Sequence, residues 1–429
     1  MPQFIAAAAI GAGAATAAAA AFGTLAALGV TAATFFTTAF VTSLAVSAVG
    51  AVLAPDVKIP RVEGMKGRDQ MVRQPTAPRK IVYGSVKVSG PVVFMATTGK
   101  SEFMHIVVAL GTHEFQAIDE VYLNEDELTL GSADSQNTQA VTAPEQYTGD
   151  LVKISTKLGT SSDPEFGLLR GALPFGWTAN HKLTNIPVIY ARLKYDTDAF
   201  PQGIPQISCV VRGRKVLDTR TSSTAYSTNP ALILHDYLTD TEFGLGCSSD
   251  EINTTSFNTA ANVCDENVSL KAGGTEKRYS CNGIVDTTDT PEQIIGNILS
   301  AMGGSLTYTN GKFSVKAAAF ISASDTLTDD DFIGGLSINT KPSRRDTFNA
   351  VKGQWIGETT KWEVADYPPV TSGTFETEDG GEQIFTELPL PFTNSAAMAQ
   401  RLAKIHLFRS RQNITISGRM KLTAFKYDI

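Results

Sequence analysis

The first charged residue of this 429-residue chain is Asp56. Cysteine is scarce as well: Cys209, Cys247, Cys264 and Cys281 are the whole set, and no two form a C-x-x-C pair. That spacing argues against a structural zinc site, and four thiols are too sparse for a disulfide scaffold in a chain of this length. Two readings stay open for them: small buried apolar residues of a cytosol-made protein, or one disulfide among Cys247, Cys264 and Cys281. The five histidines (His105, His113, His181, His235 and His406) include no pair at metal-ligand spacing. His105 lies in an apolar strand and His406 between apolar helical positions, so both read as packed or half-exposed residues. His235 and Asp236 are neighbours on a helix, where adjacent side chains diverge, and form no dyad. An excess of basic charge is also missing. Lys and Arg number 36 against 43 Asp and Glu, a net charge of −7, which argues against a nucleic-acid-coating surface, and no specific nucleic-acid recognition is expected. Gly11-x-Gly13 lacks a third glycine and follows no strand, so no dinucleotide fingerprint is present, and there is no P-loop. The acidic run after Thr328 has no EF-hand spacing and reads as a solvated turn or helix start. The sequence thus offers no catalytic residue, no cofactor site and no metal site.

What it does offer begins with an uncharged run. Residues 4–22 are alanine-rich, with Phe4, Ile5, Gly11 and, just beyond, Gly23; residues 31–53 carry Phe35, Phe36, Phe40, Leu44 and Val49. Each stretch approaches the ~20 helical residues that span a bilayer core. A secretory signal fits poorly, because no Lys or Arg precedes Lys58. Gly11, Ala15, Ala19 and Gly23 recur every four positions, a smooth helix face that lets backbones approach closely. Residues 1–55 are therefore expected to form an apolar helical hairpin, membrane-active or acting as a plug. Residues 56–80 are proline-punctuated and net basic, a linker or a strap over a neighbouring subunit.

From residue 81 the text is strand-like. Val82, Val86 and Val88 lead into a buried strand candidate at 103–110, a hairpin around 124–127, and strands at 187–195 and 207–212, giving a β-rich region over 81–228. Region 229–304 contains helices. Asn229-Pro230 pairs an N-cap residue with a proline suited to the first turn, and Gly244 and Gly246 lie past the helix end. Thr290-Pro291-Glu292-Gln293 is a capping box followed by Ile294, Ile295, Ile298, Leu299 and Met302. Region 305–429 opens with a hairpin turned at Asn310-Gly311. It continues to a helix at 394–409 with Met398, Leu402, Ile405 and Phe408 inward, and ends in an alternating stretch, 414–425, that stops as if within a domain.

Several of these stretches together resemble the tip attachment, or host-specificity, protein J family, the central hub of long non-contractile phage tails. They are RKIVYGSVKVSGPVVF at 79–94, FQAIDEVYLNEDEL at 115–128, NPALILHDYLTDTEFGLG at 229–246, RYSCN at 278–282, RRDTFNAVKGQ at 344–354 and WEVADYPPV at 362–370. The most specific is the capped helix Asn229, Pro230 and Asp236 followed by the turn Phe243, Gly244 and Gly246. The resemblance implies a mainly β fold with α+β parts, in which tail-tube-like β-barrel or sandwich domains recur, one of them in 305–429. It implies a homotrimer at the distal tip of the virion's tail that caps the tube, organises tip assembly and gates the channel for DNA delivery. Implied partners are distal tail and tail-tube proteins and the tape-measure protein, with host membrane and receptor reached through other domains or fibres. It implies a structural role, not an enzymatic one. Two readings from other classes stand beside it: a tail-associated cell-wall hydrolase, and a membrane-anchored surface protein that rests on the opening segment alone.

Overall fold

The computed structural model describes residues 71, 77–320, 322, 325–340, 347–412 and 414–421. The expected apolar hairpin of residues 1–55 and most of the 56–80 linker lie outside these. Among the described residues no helix is long and apolar enough to cross a membrane.

The alternating pattern after residue 79 resolves into β1 (Lys80–Tyr83), β2 (Ser85–Val88), β3 (Val92–Thr98), β4 (Phe103–Ala109), β5 (Ala117–Leu123), β6 (Asp126–Leu130), β7 (Gln139–Ala143), β8 (Val152–Lys157), helix α1 (Gly167–Ala172), β9 (Val188–Lys194) and β10 (Ile207–Arg212). Nine of these strands form one antiparallel sheet in the order β2-β10-β5-β6-β7-β8-β9-β4-β3. Its two edge strands are separated in sequence only by Ser89, Gly90 and Pro91. Laid flat, nine strands would hold their edges about 38 Å apart, whereas four peptide units reach at most ~14 Å. The sheet must therefore curl into a half-barrel. In the link between these edges the Ala109 amide extends the β3–β4 ladder by donating to the Pro91 carbonyl at 3.0 Å, and Gly90 lies so close to the Ala109 carbonyl that a Cβ would sit 1.8 Å from it.

Alternate side chains fill the inside of the curl, among them Val86, Val88, Ile106, Val108, Ile154, Ile189, Ile207 and Val211. On the outer face, residues between β8 and β9 fold back over the sheet. Phe166, Leu169 and Trp177 pack on Val107, Val188 and Tyr190 as a separate small core. Burial on both faces explains why β4 and β9 read as nearly continuous apolar runs.

A second layer follows: β11 (Lys215–Asp218) and β12 (Ser223–Tyr226), α2 (Pro230–Thr239), α3 (Thr254–Asp265), β13 (Asn267–Ser269), β14 (Thr275–Lys277), β15 (Gly283–Asp286), α4 (Pro291–Ser300), and the hairpin of β16 (Ser305–Thr309) and β17 (Lys312–Lys316). The hairpin turn is the one expected, with positive φ at both Asn310 (55°) and Gly311 (76°). The remaining described elements are β18 (Phe332–Asn339), β19 (Ala350–Lys352), β20 (Gln354–Ile356), β21 (Val364–Asp366), β22 (Val370–Thr371), α5 (Gly373–Glu378), β23 (Phe385–Glu387), α6 (Ala396–Ser410) and β24 (Thr415–Met420). After residue 304 the described strands form only two- and three-stranded sheets. Val351, Trp355, Tyr367 and the inner face of α6 join α2, α3 and α4 in one continuous core.

Helix α3 was not evident from sequence. Its run TTSFNTAANVCD is poor in strong helix formers. Asn253 caps it through the Ser256 amide, and it is held by an inward face of Phe257, Ala260, Ala261 and Cys264 at i, i+3, i+4 and i+7. Helix α6 forms where expected, starting two residues later and ending one residue later, and is capped by Ser395. Its inward face is Met398, Ala399, Leu402, Ala403 and Leu407. Phe408, expected inside, is 51% exposed, and Ile405 is only half-buried. The face follows the 398/402 row one step away from 405/408, which leaves Phe408 at the rim, edge-on to Phe375 at 5.4 Å. No disulfide joins any of the four cysteines. Cys209, Cys264 and Cys281 are small buried core residues, and the disulfide reading is not met.

Candidate functional site

Strand β1 belongs to two cores at once. Ile81 and Tyr83 point into the helical layer, while Val82 between them points into the half-barrel. This is the period-2 alternation of a strand used to join two bodies. One edge of β1 pairs with β15, two hundred residues later, in the register Ile81 with Val285 and Val82 with Ile284. The chain then bends at Gly84, with φ of +68°, to enter the half-barrel as β2. A side chain there would be doubly excluded, since a Cβ would lie 2.3 Å from Asn282 Oδ1 and 2.5 Å from the Cys281 carbonyl oxygen. Asn282 Oδ1 instead accepts from the Ser85 amide at 2.9 Å, closing the bend.

The other edge of β1 is held by two loops instead of a strand. The Arg214 amide donates to the Val82 carbonyl at 2.8 Å, and the Gly213 amide donates to Gly84 at 2.8 Å. Gly213 permits this approach because a Cβ would meet the Val82 oxygen at 2.1 Å. Beyond that contact the Arg214 side chain reaches α2, where its Nε lies 3.2 Å from Asp236 Oδ2 and its Nη1 bonds Asp240. Tyr83 donates its hydroxyl to the same Asp236 oxygen at 2.7 Å. Tyr83, Arg214, Asp236 and Asp240 form one charge network across the joint. Burial raises the pKa of Asp236, with the Arg214 guanidinium opposing it. Burial, then the neighbouring Asp236 charge, also hold the Tyr83 hydroxyl well above its ordinary value. These groups are locked in mutual pairs that tie β1 and the loop before β11 to α2.

The motif that carried the resemblance builds this joint. Asn229 accepts from the Ala231 amide at 3.1 Å and donates through Nδ2 to the Ala261 carbonyl at 2.9 Å, so the cap also ties α2 to α3. Pro230 occupies the first turn. After the helix, Gly244 passes so close to the Tyr237 carbonyl that a Cβ would lie 2.0 Å from it. Gly246 takes φ of +65°, and its amide returns to the Asp240 carbonyl at 3.0 Å. Phe243 is half-buried against the helical core beneath the Arg79 guanidinium. Asn310 and Gly311 sit apart from this network, at an exposed hairpin tip. Phe4, Ile5, Gly11, Gly23, Phe35, Phe36, Phe40, Leu44 and Val49 lie outside the described residues.

Sequence reading did not find Tyr83, Gly84, Gly213, Arg214 or Asn282 as site residues. A local signal existed only for Gly84, which interrupts the alternating IVYGSVKV. Three of the histidines are held in packing contacts. His105 Nε2 and Nδ1 meet Thr98 and Tyr190 at 2.9 and 2.8 Å, His235 faces the Phe257 ring, and His406 stacks on Phe348. The acidic run Asp329–Asp331 forms a short 3-10 turn that starts at Thr328. Among the described residues no three His, Cys, Asp or Glu side chains converge to hold a metal ion.

No family model matches the chain. Curated relatives do, two of them phage proteins. The tip attachment protein J of Escherichia phage SECphi27 is 28% identical over 138 residues, covering 28% of this chain and 11% of that protein. The baseplate hub protein pb3 of Escherichia phage T5 is 23% identical over 289 residues, covering 62% of this chain and 29% of that protein. The chain thus matches less than a third of either relative's length. Among solved structures, one described as the virion of a native gene transfer agent particle shares the fold. Its TM-score is 0.53 at 14% identity, over 89% of this chain and 86% of that one. The chain is thus similar to parts of a phage tip attachment protein and a phage baseplate hub protein, and shares its fold with a component of a gene transfer agent particle.

Proposed function

We propose that the chain is the central hub of a long non-contractile tail tip, acting as a homotrimer. In this reading three half-barrels continue the tail tube, and the helical layers brace them from outside. The observation that carries it is the joint itself. A curled sheet of the kind that could continue a tube is tied to a second core by β1, the Gly84 bend and the Arg214 network. That union suits a part that must transmit force without coming apart. Tail-tube, distal tail and tape-measure proteins would contact the ring, and opening of the ring would admit DNA. Residues 3–54, uncharged and near membrane-spanning length in each half, would enter the host envelope during delivery or plug the tip before it.

Native mass spectrometry of the purified chain tests the assembly. A trimer of the 45.7 kDa protomer, near 137 kDa, is expected; a monomer at all concentrations would overturn the ring. Deleting residues 2–54 tests the delivery role. The expected result is tails that assemble and adsorb but do not deliver DNA, and normal infection would refute it.

A further inference from the structure

One contact in the joint is made by a side chain where a strand would supply a carbonyl. The Val82 amide, on the edge of β1 away from β15, donates to His113 Nε2 at 2.9 Å. The other ring nitrogen, Nδ1, lies 2.9 Å from the Glu114 carbonyl. A backbone amide can only donate and a carbonyl can only accept, so the imidazole is neutral, protonated at Nδ1. One residue earlier, Thr112 bonds the Lys80 carbonyl through its amide, at 3.2 Å, and its hydroxyl, at 3.1 Å. Loop 111–114, between β4 and β5 of the half-barrel, is therefore laced to the strand that carries the helical layer.

We propose that His113 is a proton-sensitive pin: while neutral it holds β1 to the half-barrel, and when protonated it releases that edge. A protonated ring has two N–H donors and no acceptor, so it would confront the Val82 amide donor with another donor.

The surroundings favour the neutral ring. Burial lowers its pKa to about 4, the Glu114 carbonyl and Asp240 pull it up, and Arg214 pushes it down. The remaining charged groups on the packed elements are already engaged. Lys80 Nζ donates to the Ser89 carbonyl, Lys215 pairs with Glu114 at 2.7 Å, and Tyr83 and Arg214 hold Asp236. Phe115 lies edge-on to the ring at 5.2 Å. When β1 opens, the imidazole returns to an ordinary value near 6.5. Stabilisation by the pin is complete above that value and is lost as pH falls from 6.5 toward 4. The equilibrium constant for opening should rise about thirtyfold between pH 8 and pH 5.

Hydrogen-exchange mass spectrometry of the full chain from pH 8 to 4.5, corrected for the intrinsic pH dependence of exchange, tests this. Peptides covering residues 80–83 should gain exchange on acidification before those covering β8. The variant His113→Gln keeps an acceptor oxygen without a titrating ring and should flatten the profile. His105→Gln, at the other histidine whose burial lowers its pKa to about 4, should leave the β1 profile intact. Acid opening of β1 that survives His113→Gln would overturn the pin. If that variant fails to fold, the wild-type profile decides: an opening constant for residues 80–83 that stays flat from pH 8 to 5 refutes the proposal.

Discussion

Replacing Arg214 with methionine keeps most of its aliphatic stem and removes its charge. Two carboxylates, Asp236 and Asp240, then remain close together with side chains only 14% and 9% exposed. Breaking a fully buried ion pair by deleting one partner costs about 3–5 kcal/mol. The Arg214 side chain is 23% exposed, so water offsets part of that, and a loss of about 2–4 kcal/mol at pH 7 is expected. The pH dependence separates charge from packing. In Arg214→Met the orphaned Asp236, whose pKa burial already raises, is held further above the unfolded value near 3.9. The folded state then binds more protons than the unfolded one over that interval, and the variant recovers stability as pH falls from 7 toward 4. Adding Asp236→Asn should also restore part of the loss, with a coupling of about 1–3 kcal/mol. Urea denaturation followed by tryptophan fluorescence at pH 7 and pH 5 measures both quantities. A loss under about 0.5 kcal/mol, within the scatter of ordinary surface substitutions, or one equal at both pH values, would refute the electrostatic account of the joint.

Asn229→Ala removes a helix cap and a tie to α3 together, so unfolding measurements should show a loss of about 2 kcal/mol, the upper end for a cap; a change under about 0.3 kcal/mol would deny the cap its second role. Gly213→Ala places a methyl group against the Val82 carbonyl and should cost about 2–4 kcal/mol through displaced backbone bonds, whereas Gly311→Ala, at an open hairpin tip, should cost only its backbone strain of about 1 kcal/mol. With no cysteine in a disulfide, alkylation of unreduced, denatured chain should modify four thiols, and two protected thiols would reveal a disulfide.

Local structure was legible where short-range chemistry decides it. The Asn229-Pro230 start, the Thr290 capping box and the Asn310-Gly311 turn are written in adjacent residues, and each formed as read. Strands β4, β9 and β10 were evident from apolar patterning. Their order was not, because β2 lies beside β10 and β1 beside β15, pairings set by side chains more than a hundred residues apart. Helix α3 was hidden for another reason: tertiary burial of Phe257 and Cys264 overrides a threonine- and asparagine-rich run. The joint was half legible. The α2 motif stood out as a unit, but Arg214 and His113 acquire their roles only once folding brings β1 against their loops. Phe408 shows the limit of periodicity, since two apolar rows run along α6 and sequence alone does not say which faces the core.

A cryo-electron-microscopy reconstruction of the intact tail tip tests the central claim most directly. The account predicts three copies around the tail axis, each half-barrel forming part of one closed ring coaxial with the tube. Absence of the chain from the tip, or its presence as isolated copies that form no ring, would contradict it.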